Sequence, residues 1–298
     1  MVNYIVFRRS LTASLVEFVL YLLPSERYKV DRFYAKHIAR ARNNYTAPKL
    51  HCNVDSYSVD GMPVYELYDK GCTNDKIVLY FHGGAYVAQP MVFQWNFAVK
   101  MAKRLGARVV VPMYPLAPEH NCDEAQGKIT KLYTMLLDKY KRPIVVLGDS
   151  AGGGMALALG VKWQKENVSA PAKLILLSPW LDMTLANERV PGLDLIDPML
   201  SYKHLSRIAP IWAGQRDVLD YHVSPMYANV APKCKTYIFV GTREIFCPDC
   251  IDYYAKWHDK HKNLHLILGV GMNHVYPMYP IPEACKAFRQ ISNIINEN

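Results

Sequence analysis

Residues 148–152 read Gly148-Asp149-Ser150-Ala151-Gly152, a serine with a glycine two positions to either side. That spacing suits a nucleophile held on a sharp strand-to-helix turn, where side chains at the two flanking positions would collide. A serine hydroxyl is a weak nucleophile at neutral pH. It needs a base to take its proton and a third group to orient that base. It also needs hydrogen-bond donors where negative charge develops on an attacked carbonyl oxygen. His82-Gly83-Gly84-Ala85 offers them, because consecutive glycines let backbone N–H groups approach an oxygen with no side chain between. With the Ala151 amide, the loop at Gly83 and Gly84 forms a candidate oxyanion hole. Taken alone, the pair also reads as an ordinary turn with His82 bonded locally.

For these groups to meet, strands must end at them. Lys76–Phe81 is an apolar run ended by the Gly83-Gly84 turn, and 143–147 is another that leads into Ser150. Further strands are expected at 108–114, 173–177, 236–240 and 264–268, with helices at 96–105, 123–140, 151–164, 249–258 and about 283–295. Strands separated by helices imply an α/β fold, a mostly parallel central sheet with helices on both faces. Ser150 then stands at the sheet's C-terminal edge and at a helix N-terminus, which favours developing negative charge. Val54–Leu67 alternates around Asp60-Gly61 and reads as an antiparallel hairpin at the sheet edge.

Two stretches break the alternation. Residues 1 to about 45 read as helices, and residues about 183–222 as a long irregular-to-helical insertion. Both exceed an ordinary connection, so within one domain spanning 1–298 they are candidate cap elements over a substrate pocket. Leu11–Leu23 is apolar but interrupted by Glu17, lacks a following cleavage site, and falls short of the ~20 residues a membrane span needs. Leu15, Phe18, Val19, Leu22 and Leu23 lie close to one helical face. The expectation is an amphipathic helix packed on the body or over a pocket, with weak membrane-surface contact left open.

Composition narrows the classes. A chain of 298 residues, 51% hydrophobic and 20% charged, can bury a large core and is neither disordered nor fibrous. Its formal charge of +9 comes without a dense Lys/Arg run or an aromatic-interleaved basic stripe, so nucleic-acid binding is not expected. Seven scattered cysteines do not make a disulfide framework and suggest free thiols in a cytoplasmic setting. Cys247 and Cys250 lack the second ligand pair that a zinc site needs. No metal or cofactor is expected.

In chains whose serine elbow joins strand to helix, the acid and then the histidine follow the serine, each after a late strand. Of the histidines beyond Ser150, only His274 follows the last strand in a glycine-bearing loop. His258 and His261 sit at a helix end among lysines, His265 lies within a strand, and His204 and His222 belong to the insertion. The acid falls after strand 236–240, where Glu244 comes first and is favoured; Asp249 opens the next helix as an acidic cap and is the alternative. Asp149 is read as a structural residue or pocket wall, unable to reach around to His274.

These pieces resemble the hormone-sensitive lipase-like branch of the α/β-hydrolase family, also called the family IV bacterial esterases. The resemblance rests on His82-Gly83-Gly84-Ala85, Tyr114–His120, Gly148–Gly154, Leu176–Asp182, Gly241–Asp249 and Gly271–Pro277, in family order over about two-thirds of the chain. It implies a cofactor-free serine carboxylesterase acting on short- to medium-chain esters, with the triad Ser150, Glu244 and His274 and an N-terminal helical cap. Ala85 replaces the family's usual third glycine, and Glu244 stands where the family more often has Asp. The expected partner is a small-molecule ester, and the chain a monomer or homodimer. An amidase or peptidase, an acyltransferase, and a non-catalytic receptor of the gibberellin-receptor type remain alternatives on the same fold.

Overall fold

The computed structural model describes residues 3–5, 9–22, 47–72 and 75–297. Its strands are β1 (Asn3–Ile5), β2 (Asn53–Val59), β3 (Met62–Tyr68), β4 (Ile77–Phe81), β5 (Arg108–Pro112), β6 (Ile144–Asp149), β7 (Lys173–Leu177), β8 (Lys235–Gly241) and β9 (Leu264–Gly269). They form one sheet in the order β1-β9-β8-β7-β6-β4-β5-β3-β2. Pairing is parallel from β1 across to β5 and antiparallel at β5–β3 and β3–β2. Every residue of β4, β6 and β7 is buried, as befits strands covered on both faces.

The helices are α1 (Leu11–Leu22), α2 (Val92–Leu105), α3 (Cys122–Tyr140), α4 (Ala151–Lys165), α5 (Val190–Asp194), α6 (Tyr202–Ala213), α7 (Cys247–Trp257) and α8 (Pro282–Asn296). Apolar residues of α3, α4, α6 and α7 build the core on one face of the sheet, and those of α2 and α8 the core on the other. The β2–β3 hairpin turns at Asp60 and Gly61, both at positive φ (53° and 76°), as the Asp-Gly pair suggests. Helix α2 starts at Val92 instead of Asn96. Its first turn is tied by Gln94, whose side chain accepts from the Met91 N–H at 2.8 Å.

The N-terminal stretch departs from its expectation. Residues 3–5 form a strand parallel to β9, with Asn3 opposite Ile267 and Ile5 opposite Gly269. Leu11–Leu22 is the expected helix, while 23–45 and Leu23 lie outside the described residues. The apolar face of α1 is turned outward: Leu15, Phe18, Val19 and Leu22 are 44–65% exposed, and Ala13 and Glu17 are the buried residues. Glu17 takes the inner face because Arg9 and Arg243 both pair with it there. The Ser10 N–H donates to Glu283 Oε1 at 2.7 Å, anchoring the start of α1 to α8. Among the described residues, no helix is long and apolar enough to cross a membrane.

Candidate active site

Ser150 stands between β6 and α4 with φ 55° and ψ −122°, a strained conformation that exposes Oγ above the strand ends. The flanking glycines are required by contact. A Cβ at Gly148 would lie 2.3 Å from Gly152 O, and one at Gly152 would lie 2.2 Å from Phe81 O.

The loop after β9 brings His274 to this turn. Its Nε2 lies 3.0 Å from Ser150 Oγ, and its Nδ1 bonds Glu244 Oε2 in a buried pair. A carboxylate only accepts, so Nδ1 carries the proton and Nε2 is free to accept from the Ser150 hydroxyl. The second Glu244 oxygen accepts from the Gly241 N–H and the Ser178 hydroxyl, both at 2.7 Å. Ser178 Oγ in turn accepts from the Val275 N–H at 2.9 Å, so one hydroxyl ties the acid to the histidine loop. Burial pulls the His274 pKa down, but the Glu244 charge and hydrogen bond, with Asp197 and Asp149 beyond, carry it above the ordinary histidine value.

Asp249 is not brought to His274. It sits in the first turn of α7 and accepts from Asn187 Nδ2 at 2.9 Å, and burial pushes its carboxyl up to about 7. Asp149 is a wall and a brace. It accepts from Tyr80 Oη at 2.6 Å, Gln94 Nε2 at 2.8 Å and the Gly83 N–H at 3.0 Å. That last bond corrects the expected oxyanion hole, because the Gly83 amide is already used. Gly84 (φ 124°) and Ala85 (φ 52°) turn beside the nucleophile. Among the described residues, no acceptor is bonded to the N–H of Gly84, Ala85 or Ala151. His82 bonds locally, donating from Nδ1 to Gly83 O at 2.8 Å.

A cavity of about 130 Å³ opens onto Ser150 and His274. Met199, Leu200, Ser201, His204, Leu205 and Ile208, all within the 183–222 segment, wall it, and no α1 residue lines it. A larger cavity of about 550 Å³, bounded by Lys76, Arg142, Lys173 and Lys235, is lined by none of Ser150, Glu244 and His274. Tyr86, Trp180 and Trp212 do not line the small cavity; they stack in the core, Tyr86 on Trp212 at 4.0 Å between ring centres. Tyr227 is 42% exposed and donates to Asp182 Oδ2 at 2.9 Å. Cys247 and Cys250 are buried in the first turn of α7, and the described residues hold no cluster able to bind a metal ion. Ser178, Gln94 and Asp197 escape a reading of the sequence, although Ser178 lies inside the Leu176–Asp182 motif.

Known proteins resemble this chain in sequence and in fold. A profile described as the α/β-hydrolase fold matches residues 78–278. An esterase from Acinetobacter venetianus is 30% identical over 228 residues, which cover 73% of this chain and 73% of that one. Human hormone-sensitive lipase is 27% identical over 146 residues, 47% of this chain and 14% of the lipase. Among solved structures, an esterase/lipase from an uncultured bacterium superposes with a TM-score of 0.84 at 25% identity, over 96% of this chain and 98% of that one.

Proposed function

The chain belongs to the α/β-hydrolase family, and from that premise we propose that it is a serine carboxylesterase working through an acyl-enzyme on Ser150. The observation that carries the reading is the buried line from Ser150 Oγ to His274 Nε2 and from His274 Nδ1 to Glu244. His274 takes the Ser150 proton as Oγ attacks the ester carbonyl carbon, and Glu244 holds the ring and stabilises the imidazolium. The Gly84 and Ala151 amides donate to the carbonyl oxygen as it gains charge; one such donor is typically worth ~3 kcal/mol. His274 then protonates the departing alkoxide, leaving the acyl group on Ser150. Water, deprotonated by the same ring, attacks the acyl carbon and releases the acid.

Cavity size sets the acyl preference. A dry cavity of about 150 Å³ holds one benzene, so the 130 Å³ here suits a short acyl group.

The test is hydrolysis of p-nitrophenyl esters from acetate upward by wild type and Ser150→Ala. Wild-type turnover should peak at short chains, and the variant should lose ~10⁴-fold or more in kcat. Activity retained in Ser150→Ala overturns the assignment. Matched anilides in the same assay separate an amidase, and added alcohols an acyltransferase. A base poised beside the serine speaks against a receptor, and labelling of Ser150 by a fluorophosphonate checks that point.

A further inference from the structure

The roof of the cavity holds a carboxylate that this mechanism leaves unused. Asp197 lies between α5 and α6 and is fully buried. Its Oδ1 accepts the N–H groups of Met199 and Leu200, both at 2.9 Å, and its Oδ2 accepts the N–H of Ile245 at 3.1 Å. Met199 and Leu200 are cavity wall, and Ile245 immediately follows Glu244. One side chain therefore spans two segments 48 residues apart, of which one shapes the substrate site and the other carries the triad acid.

Building on the ester-hydrolase reading, we infer that Asp197 is a positioning residue that clasps the Met199–Leu200 wall to the Glu244 loop, so that cavity shape and His274 orientation are set together. Carboxylate bonds to backbone N–H groups are charge-assisted, and burial makes them costly to break. Helix α1 braces both ends of the clasp. Tyr21 Oη donates to Ile196 O at 2.7 Å, beside Asp197, and Glu17 pairs with Arg243, beside Glu244. Burial raises the Asp197 carboxyl to about 6, with His274 and the two local amides pulling the other way, so it is mostly ionised at neutral pH. Its charge then joins that of Glu244 in favouring the His274 imidazolium.

Two variants test the clasp. Asp197→Asn keeps an acceptor for Met199 and Leu200 but loses the charge. Asp197→Ser keeps a hydroxyl for the local turn and is too short to reach Ile245. Each should lower kcat and raise KM for a short-chain p-nitrophenyl ester, together cutting kcat/KM about 10- to 100-fold. The acidic limb of kcat/KM should also move to lower pH. Among the described residues, Glu244 and Asp149 also act on the His274 charge, with Tyr279, Tyr276 and Cys247 in reach of the same carboxylates, and none of the three is an anion that replaces the lost one. A merely structural residue would lower the melting temperature and leave folded enzyme with unchanged constants and an unmoved limb. Folded variants within twofold of wild type on kcat, KM and the limb overturn the proposal.

Should neither variant fold, amide hydrogen exchange in wild type takes over. The Ile245 N–H should exchange as slowly as the Gly241 N–H that Glu244 holds, and fast exchange at Ile245 alone overturns the clasp. A wild type that hydrolyses no ester counts against the hydrolase reading, while the Ile245 amide still reports on the clasp itself.

Discussion

In the proposed mechanism His274 must be neutral to take the serine proton, yet its surroundings favour the charged ring. Its pKa lies above the ordinary value of about 6.5, so kcat/KM should rise with pH and reach half its plateau above 6.5. Stability runs the other way. The folded state holds this proton more tightly than the unfolded chain, so the linked stabilisation is full below the unfolded pKa and fades as pH climbs through the raised folded value. Urea unfolding and a pH–rate profile on one preparation should therefore show opposite trends over that window. Glu244→Gln removes the main charge behind the shift. It should move the acidic limb downward and lower kcat by up to about 10⁴-fold, as loss of the orienting acid does in serine proteases; an unmoved limb would point to another partner for the ring. Ser150 and His274 are legible in the sequence because a tight turn dictates glycines and a late loop dictates order. Glu244 is separable from Asp249 because it comes first after the β8 turn, while Asp249 is committed to α7 and Asn187. Asp197 and Ser178 leave no such trace. Their main partners include backbone N–H groups, which nearly every residue possesses, so no side-chain pattern announces them. The same holds for the Gly83 amide, whose capture by Asp149 depends on a contact across 66 positions.

Helices and strands are legible where burial has a clear period and fail where a polar residue wins the inner face. Alternating apolar runs and helical spacing locate β4 to β9 and α3, α4 and α8 to within a residue or two. Helix α1 inverts the rule, since two arginines make Glu17 a better inward residue than the leucines. Strand β1 is three residues long, too short for any period to show. Packing between elements predicts a contrast between two helical glycines. Gly152→Ala puts a methyl group 2.2 Å from Phe81 O, which must push α4 away from β4 and displace Ser150. It should cost more than ~2 kcal/mol and most of the esterase activity. Gly127→Ala on α3 meets nothing within 4 Å and should stabilise the fold by about 0.5–1 kcal/mol with unchanged kinetics. Urea midpoints of the two variants decide both. A Gly152→Ala enzyme with wild-type stability and turnover would show that α4 need not approach so closely.

Across the described residues, one sheet carries the candidate site: Ser150, Glu244 and His274 follow β6, β8 and β9, and residues 199–208 wall the cavity beside Ser150 and His274. The sheet ends on one side at the β2–β3 hairpin and on the other at β1, which covers the edge of β9. Removing residues 1–5 should leave β9 as a bare edge strand and speed aggregation on warming, followed by light scattering. Scattering identical to the full chain would mean that the edge is protected by other means. The β1–β9 pairing also has a consequence for biosynthesis. Strand β1 leaves the ribosome well before its partner at Ile267–Gly269 is made. At 5–20 residues per second, roughly 15 to 50 s separate the synthesis of the two. Through that interval β1 has no partner strand, and a chaperone or the growing chain must shelter it. Residues 3–5 are made long before they can be fastened.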